Sequence, residues 1–287
     1  EFDSIIKKMK INRHDILLRL IGDELSDRGQ NDYFTLKIFQ KLKQANVPLD
    51  IMLSNHGAVF IHAYEHVKKN KELLPTTLKD KYTLSLTALN DLIKKEWVTI
   101  EEVMDLITTS YKPALKVMGY SLNDTPPGIT LFTHAGVGLE TIRGLCKKFG
   151  IIYEDESPIE LAKTIDSINQ KFSKNVEENT ISSLFDLRVT ENFIETQALE
   201  CILWNRSYEK LERPAEHKGY HLNFVHGHDP KDESKGHIYN LDNDFGKPHK
   251  SSKEYTLLTS DEHQLQLKLE ATPHDEAEEA PSKGFTP

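Results

Sequence analysis

Polar residues that can bind metal ions or phosphate follow four apolar segments of the chain. The four polar segments are Gly22-Asp23-Glu24-Leu25-Ser26-Asp27-Arg28-Gly29, Ser54-Asn55-His56-Gly57, His134-Ala135-Gly136 and His226-Gly227-His228-Asp229-Pro230. A fifth, Trp204-Asn205-Arg206, ends a helical segment. Because the ligands of α/β proteins gather beyond the carboxyl ends of strands, we expect these segments to meet at one site.

The residue types in these segments indicate a metal site made of oxygen and nitrogen ligands. Asp, Asn and His without thiolates suit manganese, iron or zinc, and a bridging carboxylate permits two ions. Two such ions can hold the attacking and the leaving oxygen of an in-line phosphoryl displacement and can activate a bound water near neutral pH. Arginine adds a planar fork that binds phosphate oxygens. The segments therefore predict phosphoryl-transfer chemistry.

The segments between these residues predict an alternation of strands and helices, which is typical of an α/β layered fold. Apolar runs predict buried strands over 15–21, 49–53, 129–133 and 221–225. Helical spacing predicts helices over 1–10, 31–44, 138–148, 58–120 and 158–204, the last interrupted near 175–180. Two-residue alternation predicts antiparallel strands over 238–241, 255–259 and 264–269.

The composition excludes several classes of protein. A chain of 287 residues with 38% hydrophobic and 28% charged residues is typical of a soluble globular enzyme, and its apolar runs are too short to span a membrane. A net charge of −9 argues against nonspecific nucleic-acid binding. Cys146 and Cys201 permit one disulfide, although we expect two buried thiols. We expect one catalytic α/β domain over 1–270, with helical insertions at about 62–127 and 151–200, and an acidic disordered tail or linker over 271–287.

Five motifs carry a resemblance to a known family. GDELSDRG, SNHG, HAG, LWNR and HGH resemble, in this order, the signatures of the PPP-type, calcineurin-like metallophosphatases. Each motif is short, but together they match over roughly residues 1–260, and the HAG and LWNR forms are more similar to the bacterial and phage branch. The resemblance implies a layered αββα sandwich of two mixed sheets. It also implies a metal-dependent phosphoprotein phosphatase in which a metal-bound hydroxide attacks phosphorus in line.

The resemblance also implies a set of metal ligands. Asp23 resembles the carboxylate that bridges two divalent ions, of which manganese is the first expectation and iron or zinc the alternatives. Asn55, His134 and His228 resemble the remaining ligands of the second ion. His226 is expected to be a neighbour of His228 rather than a ligand.

Further residues resemble the family's catalytic groups. His56 resembles the general acid that protonates the leaving oxygen, and Asp27 the carboxylate that orients it. Arg28 and Arg206 resemble the arginines that bind phosphate, and Asn55 also lies near the substrate oxygens. The implied partner is a phosphorylated protein. Neither a nucleic acid nor a membrane span is expected, and the sequence does not indicate an oligomeric state.

Three departures from the family pattern are visible. The first motif has one residue more than usual between its aspartates, which predicts a local bulge and can turn Glu24 toward the site. Ser54 and Gly57 replace the glycine and glutamate of a GNHE motif, which removes a carboxylate near the metal. The GDxHG motif, expected before Glu1, is absent, so truncation or disorder is expected there and only Asp23 remains for the first metal.

Other interpretations remain open. Asp23 and Asp27 can cap the following helix, and Arg206 can be a favourable charge at a helix C-terminus. A noncatalytic binding protein that kept the fold, or a phosphatase of small phosphoesters or dinucleoside polyphosphates, also fits the motifs. The helical insertions and the Lys/Asn-rich composition resemble effector phosphatases that intracellular bacteria secrete, which implies a bacterial or host cytoplasm. Preference for Ser/Thr or Tyr phosphate is left open.

Overall fold

The computed structural model describes residues 16–27, 29–70, 83–185, 197–231, 234–242, 254–258 and 266–270. The predicted helix over 1–10, the predicted phosphate ligand Arg28 and the predicted acidic tail over 271–287 lie outside these residues. The chain divides into two units, Glu1–Asn240 and Leu241–Pro287.

The first sheet of the larger unit has three parallel strands. Its order is β1 (Leu18–Leu20), β2 (Leu49–Met52) and β3 (Leu115–Lys116). Helix α1 (Asp32–Gln44) connects β1 to β2 and buries Leu36 and Phe39. Ile51 and Met52 of β2 are fully buried, as an apolar central strand requires. The prediction of a mixed sheet is wrong for these described strands.

The second sheet is mixed, and two parallel strands form its centre. The strands are β4 (Gly119–Asp124), β5 (Pro127–Phe132), β6 (Glu216–His217), β7 (Tyr220–His226) and β8 (Ile238–Asn240). The order is β4-β5-β7-β6, and β8 pairs with β7. Strand β8 is parallel to β7, so its predicted antiparallel pairing is wrong. Two-residue alternation does not set strand direction, and β8 begins beside Phe224, in the second half of β7.

Helices surround both sheets. Strand β2 leads into α2 (Asn55–Asn70), α3 (Thr83–Lys94) and α4 (Ile100–Leu106), and β5 and the segments after it lead into α5 (Leu139–Phe149), α6 (Pro158–Glu178) and α7 (Ala198–Trp204). Thr99 caps α4 and Ser157 caps α6 through side-chain oxygens that accept backbone N–H groups. Gly150 ends α5 in the left-handed conformation.

The region predicted to be helical over 62–127 is helical only in its first part. A single π-helical turn, Ile107–Tyr111, and a 3₁₀ turn, Lys112–Ala114, lead into β3 and β4. These two strands were missed because β3 has only two residues and β4 is half exposed and polar at its far end. One buried cluster contains side chains of both sheets and of α1 to α7. The predicted α/β class is confirmed.

In the smaller unit, β9 (Glu254–Leu258) and β10 (Gln266–Glu270) form an antiparallel pair, as the alternation predicts.

Cys146 and Cys201 are both free thiols, and burial raises the pKa of each to about 11. Such thiols are protonated at neutral pH and are poor nucleophiles. No helix in the described ranges is long and apolar enough to cross a membrane.

Candidate active site

Four strand ends bring four of the predicted ligand residues together. Asp23 follows β1, Asn55 begins α2 after β2, His134 follows β5 and His228 follows β7. The Nε2 atom of His134 lies 3.0 Å from Asn55 Oδ1, 3.1 Å from His228 Nδ1 and 3.5 Å from Asp23 Oδ1. Residues separated by more than two hundred positions therefore share one small region, centred on the His134 ring.

The position of His134 depends on a close contact between the two sheets. Its Nδ1–H donates a hydrogen bond to the Ile21 carbonyl at 2.8 Å, and its own carbonyl accepts one from Gly227 N at 2.8 Å. Gly22 has a φ of +96°, and a Cβ there would lie 2.5 Å from His134 Nδ1. The strand-ending glycine is therefore required for the contact, and the Ile21 bond directs the Nε2 lone pair toward the other three side chains.

The backbone is strained at this site. Asp23 has a φ of +61° and His228 a φ of +74°, a left-handed conformation that non-glycine residues adopt at a cost. Such outliers persist when the surrounding structure holds them, and they cluster at functional sites.

The four facing atoms fit a divalent cation. A proton on His134 Nε2 can satisfy one of the three acceptors that face it, whereas a cation can contact all four atoms. Two ligand atoms about 2.1 Å from one ion lie about 3.0–3.4 Å apart at octahedral or tetrahedral angles, close to the observed 3.0–3.5 Å. The Oδ1 atom of Asp23 is buried and accepts no hydrogen bond from any residue that the structure describes. The donor set of oxygen and nitrogen suits manganese, iron or zinc.

His228 is held in the form that binds metal. Burial, with smaller contributions from the nearby charges of His134, Arg206 and His56, lowers its pKa to about 2. Its imidazole is therefore neutral at physiological pH, as a metal ligand must be. His226, two residues earlier, instead stacks on Tyr208 with ring centroids 5.4 Å apart.

His56 lies beside the four ligand atoms, at the second position of α2. It is 7% exposed, its Nδ1 donates to the Ser26 carbonyl at 2.9 Å, and its Nε2 lies 3.5 Å from Asp27 Oδ1. The predicted pair of His56 and Asp27 is thus brought together, and Ser26 is an additional anchor of the ring.

Sequence reasoning did not find the role of Ser26 or of Asp32. Ser26 is one of the three residues between Asp23 and Asp27, is fully buried, and has a φ of +58°. Its N–H donates to Asp32 Oδ2 at 3.1 Å, so the first residue of α1 holds this segment in place. The extra residue in GDELSDRG and the aspartate at the helix start were the available signals.

Glu24 contacts Tyr111 and belongs to neither group of candidate metal ligands in the described residues. Its Oε1 accepts a hydrogen bond from the Tyr111 hydroxyl at 2.8 Å, and Tyr111 ends the π-helical turn. Burial raises the pKa of Glu24 to about 7, although the Tyr111 bond opposes the shift. A Cβ on Gly57 would lie 2.9 Å from the Tyr111 hydroxyl and 3.6 Å from Glu24 Oε1. Glu24 and Tyr111 therefore occupy the space beside Gly57, where the family pattern has a glutamate.

Arg206 lies near the site on a braced segment. Asn205 Nδ2 donates to the Gly136 carbonyl at 3.0 Å, and the Arg206 Nε lies 3.7 Å from Asp229 Oδ2. The side chain is 57% exposed, and its charge acts on His228. The other predicted arginine, Arg28, lies outside the described residues.

Two groups of possible metal ligands share one carboxylate. Asp23, His134 and His228 form one group, and Asp23, Asp27 and His56 form the other, with the atoms of each group within 4.8 Å of one another. Asp23 is thus placed between the predicted ligands and the predicted proton donor. The arrangement can hold a cation on one side of Asp23 and transfer a proton on the other.

Comparisons with known proteins identify the family of the chain. Residues 17–247 match the family described as "WipA-like, phosphatase domain". A similar solved structure is the phosphatase domain from the Legionella effector WipB, which is 36% identical and matches with a TM-score of 0.69 over 79% of this chain and 78% of that chain. The comparison with curated proteins gave no match. The predicted resemblance to a phosphatase is confirmed, and the chain belongs to the WipA-like phosphatase domain family.

Proposed function

We propose that the domain is a metal-dependent phosphatase that hydrolyses phosphomonoesters on proteins. The observation that carries the proposal is the meeting of Asp23, Asn55 and His228 at the Nε2 atom of His134, at 3.0–3.5 Å. Membership of a phosphatase family supports the reaction class. The burial of the neutral His228 ring supports metal binding, because such an imidazole presents a lone pair without competition from a proton.

Asp23, Asn55, His134 and His228 would hold a divalent cation, with manganese as the first expectation. Such an ion polarises a phosphoryl oxygen and lowers the pKa of a bound water toward neutrality. The sequence leads us to expect two ions, and Asp23 would be the ligand that they share. Asn55, His134 and His228 would be the remaining ligands of one of them.

The remaining side chains would bind phosphate and move a proton. Arg206 would contact the phosphoryl oxygens through its guanidinium, and Asn55 lies near the same oxygens. His56 would give the proton on Nε2 to the departing oxygen, because Nδ1 is committed to the Ser26 carbonyl. Asp27, 3.5 Å from Nε2, would stabilise the protonated ring.

The exposure of the site supports a macromolecular substrate. The side chain of Asp23 is 30% exposed and that of Arg206 is 57% exposed, so a phosphorylated side chain on another protein can reach both. Helices α2 to α4, α6 and α7 would form the caps beside this opening. Because the similar WipB domain comes from a Legionella effector, we further propose that the chain acts as an effector in a host-cell cytoplasm.

The experiment measures hydrolysis by the metal-free chain before and after manganese is added. Substrates are nitrophenyl phosphate, peptides with phosphoserine, phosphothreonine or phosphotyrosine, and a dinucleoside polyphosphate. We expect manganese to restore hydrolysis of the peptides, and Asp23→Asn and His134→Ala to lose at least about 100-fold in kcat/KM. His221→Ala is the matched control, because His221 is an exposed histidine on β7.

Three results would contradict the proposal. Equal turnover with and without chelator would contradict the metal dependence. Parental rates for Asp23→Asn would contradict the assignment of the site. Faster hydrolysis of the dinucleotide than of every phosphopeptide would contradict a protein substrate.

A further inference from the structure

A buried carboxylate lies behind the exposed guanidinium of Arg206. The side chain of Asp229 is only 9% exposed, whereas that of Arg206 is 57% exposed, and Asp229 Oδ2 lies 3.7 Å from Arg206 Nε. Asp229 directly follows His228 in the chain. A buried carboxylate in this position requires an explanation, because burial without a partner is unfavourable for a charged group.

The Asp229 carboxylate is held in place by the backbone around it. Its Oδ1 accepts a hydrogen bond from Lys231 N at 3.1 Å, and its own N–H donates to the Gly227 carbonyl at 3.0 Å. Its carbonyl accepts a bond from Asn240 Nδ2 at 2.7 Å. The backbone of Asp229 is therefore fixed beside His228, and the bond from Lys231 N holds the carboxylate itself.

The backbone of Arg206 is also fixed. Asn205 is 5% exposed, its Nδ2 donates to the Gly136 carbonyl at 3.0 Å, and its Oδ1 accepts from Ser207 N at 3.0 Å. The long side chain of Arg206 is then the part that remains free to change rotamer. An arginine that faces a carboxylate through Nε keeps its two terminal NH₂ groups for a second acceptor.

Resting on the proposed function, we propose that Asp229 is a positioning residue that aims the Arg206 guanidinium at the substrate phosphate. Its negative charge is tolerated near a phosphate dianion only while Arg206 stands between them. Without Arg206, the buried carboxylate would face the phosphate and repel it. This gives the pair a signature that a purely structural aspartate would lack.

The test is a double-mutant cycle on the chain loaded with manganese, with Asp229→Asn, Arg206→Ala and the double variant. We expect Asp229→Asn to raise KM about fivefold to tenfold with a smaller change in kcat, because the ion pair that orients Arg206 is lost. Arg206→Ala should lose more, and adding Asp229→Asn to it should recover about fivefold in kcat/KM, because the unpaired charge is removed. The dissociation constant of inorganic phosphate, measured by calorimetry, should follow the same order.

A matched control and a second variant distinguish the proposed effect from a loss of folding. Asp105→Asn, an exposed aspartate on α4, should match the parent in every measurement. Arg206→Lys leaves Asp229 untouched but removes the Nε contact, and it should raise KM at least as much as Asp229→Asn.

The results separate this inference from the proposed function. A parent chain that neither hydrolyses phosphoesters nor binds phosphate overturns both. A parent that turns over while Asp229→Asn keeps its KM overturns the inference alone. So does a double variant that is worse than Arg206→Ala, since that result indicates a structural role for Asp229.

Discussion

The His56 ring is anchored by the Ser26 carbonyl, whose oxygen lies 2.9 Å from Nδ1, and Asp27 is the more distant neighbour at 3.5 Å from Nε2. A separation of 3.5 Å exceeds an ordinary hydrogen bond between nitrogen and oxygen. The backbone therefore sets the orientation of the ring and leaves Nε2 for the proton transfer that we propose.

If His56 protonates the leaving oxygen, its removal should matter most for poor leaving groups. We expect His56→Ala to lower kcat about 10²- to 10⁴-fold on phenyl phosphate and much less on nitrophenyl phosphate, whose leaving oxygen needs no proton. Steady-state rates over a series of substituted phenyl phosphates measure this. His66→Ala, about three turns farther along α2, is the control, and an equal loss on all substrates would contradict the assignment.

Gly22 offers a test of the contact that positions His134. We expect Gly22→Ala to lose the thermal stabilisation that manganese gives the parent, because the new Cβ would lie 2.5 Å from His134 Nδ1 and 2.7 Å from Ser54 Cβ. Differential scanning fluorimetry with increasing manganese measures the shift in Tm. Gly219→Ala is the matched control, because Gly219 also has a positive φ, +84°, but has no atom within 4 Å of the added Cβ. A normal manganese response of Gly22→Ala would refute this prediction.

The space beside Gly57 is predicted to be closed to larger side chains. Gly57→Ala would place a Cβ 2.9 Å from the Tyr111 hydroxyl and 3.2 Å from Ser54 Oγ, so we expect the free energy of unfolding to fall by about 1–3 kcal/mol. Gly57→Glu, which restores the residue of the family pattern, should cost more. Urea titration measures these changes.

Tyr111→Phe and Gly57→Ala together form a double-mutant cycle that tests whether the two residues compete for space. Alone, Tyr111→Phe should destabilise by about 1–3 kcal/mol, because it removes the hydrogen bond to the buried Glu24 carboxylate. Combined with Gly57→Ala it should cost less than the sum, since the clash with the hydroxyl is gone. Additive losses would mean that the two residues do not compete for space.

A second buried carboxylate, far from the motifs in sequence, predicts a dependence of stability on pH. Burial alone would raise the pKa of Asp155, but hydrogen bonds from Lys218, Tyr153 and His217 outweigh it, and the pKa lies below its ordinary value of 3.8. The stabilisation is therefore complete above about pH 4 and is lost as the pH falls through the lowered pKa.

Asp155→Asn should remove this dependence. We expect it to lower the free energy of unfolding by about 1–3 kcal/mol at pH 7 and to flatten the acid limb below pH 4. Urea titrations between pH 2.5 and pH 7 measure both effects, and Asp105→Asn is the control. An unchanged acid limb would show that other carboxylates dominate it.

Much of the site could be predicted because its residues follow strands. The apolar runs before Asp23, Asn55, His134 and His228 predicted where each strand would end. Parallel pairing brings two of these ends together in each sheet. The segments whose strands or strand directions were predicted wrongly are short or exposed. Strand β3 has two residues, and the direction of β8 depends on a loop rather than on its own alternation.

The supporting contacts of the site were beyond sequence reasoning for a different reason. The Ser26 carbonyl is a backbone group, so its contact with His56 does not depend on a recognisable residue type. Asp229 follows a predicted ligand but belongs to no motif that would indicate its contact with Arg206. The pairing of Glu24 with Tyr111 joins residues 87 positions apart through a π-helical turn. Such contacts depend on the packing of helices whose orientation the local pattern does not encode.

The left-handed backbone at Asp23, Ser26 and His228 has a consequence for selection. Glycine would adopt these conformations with less strain than any of the three side chains. A library screened only for resistance to heat in chelator should therefore drift toward glycine at these positions and lose phosphate hydrolysis as it gains robustness. Selection for catalysis would therefore retain Asp23, Ser26 and His228, although glycine at these positions would give a more stable protein.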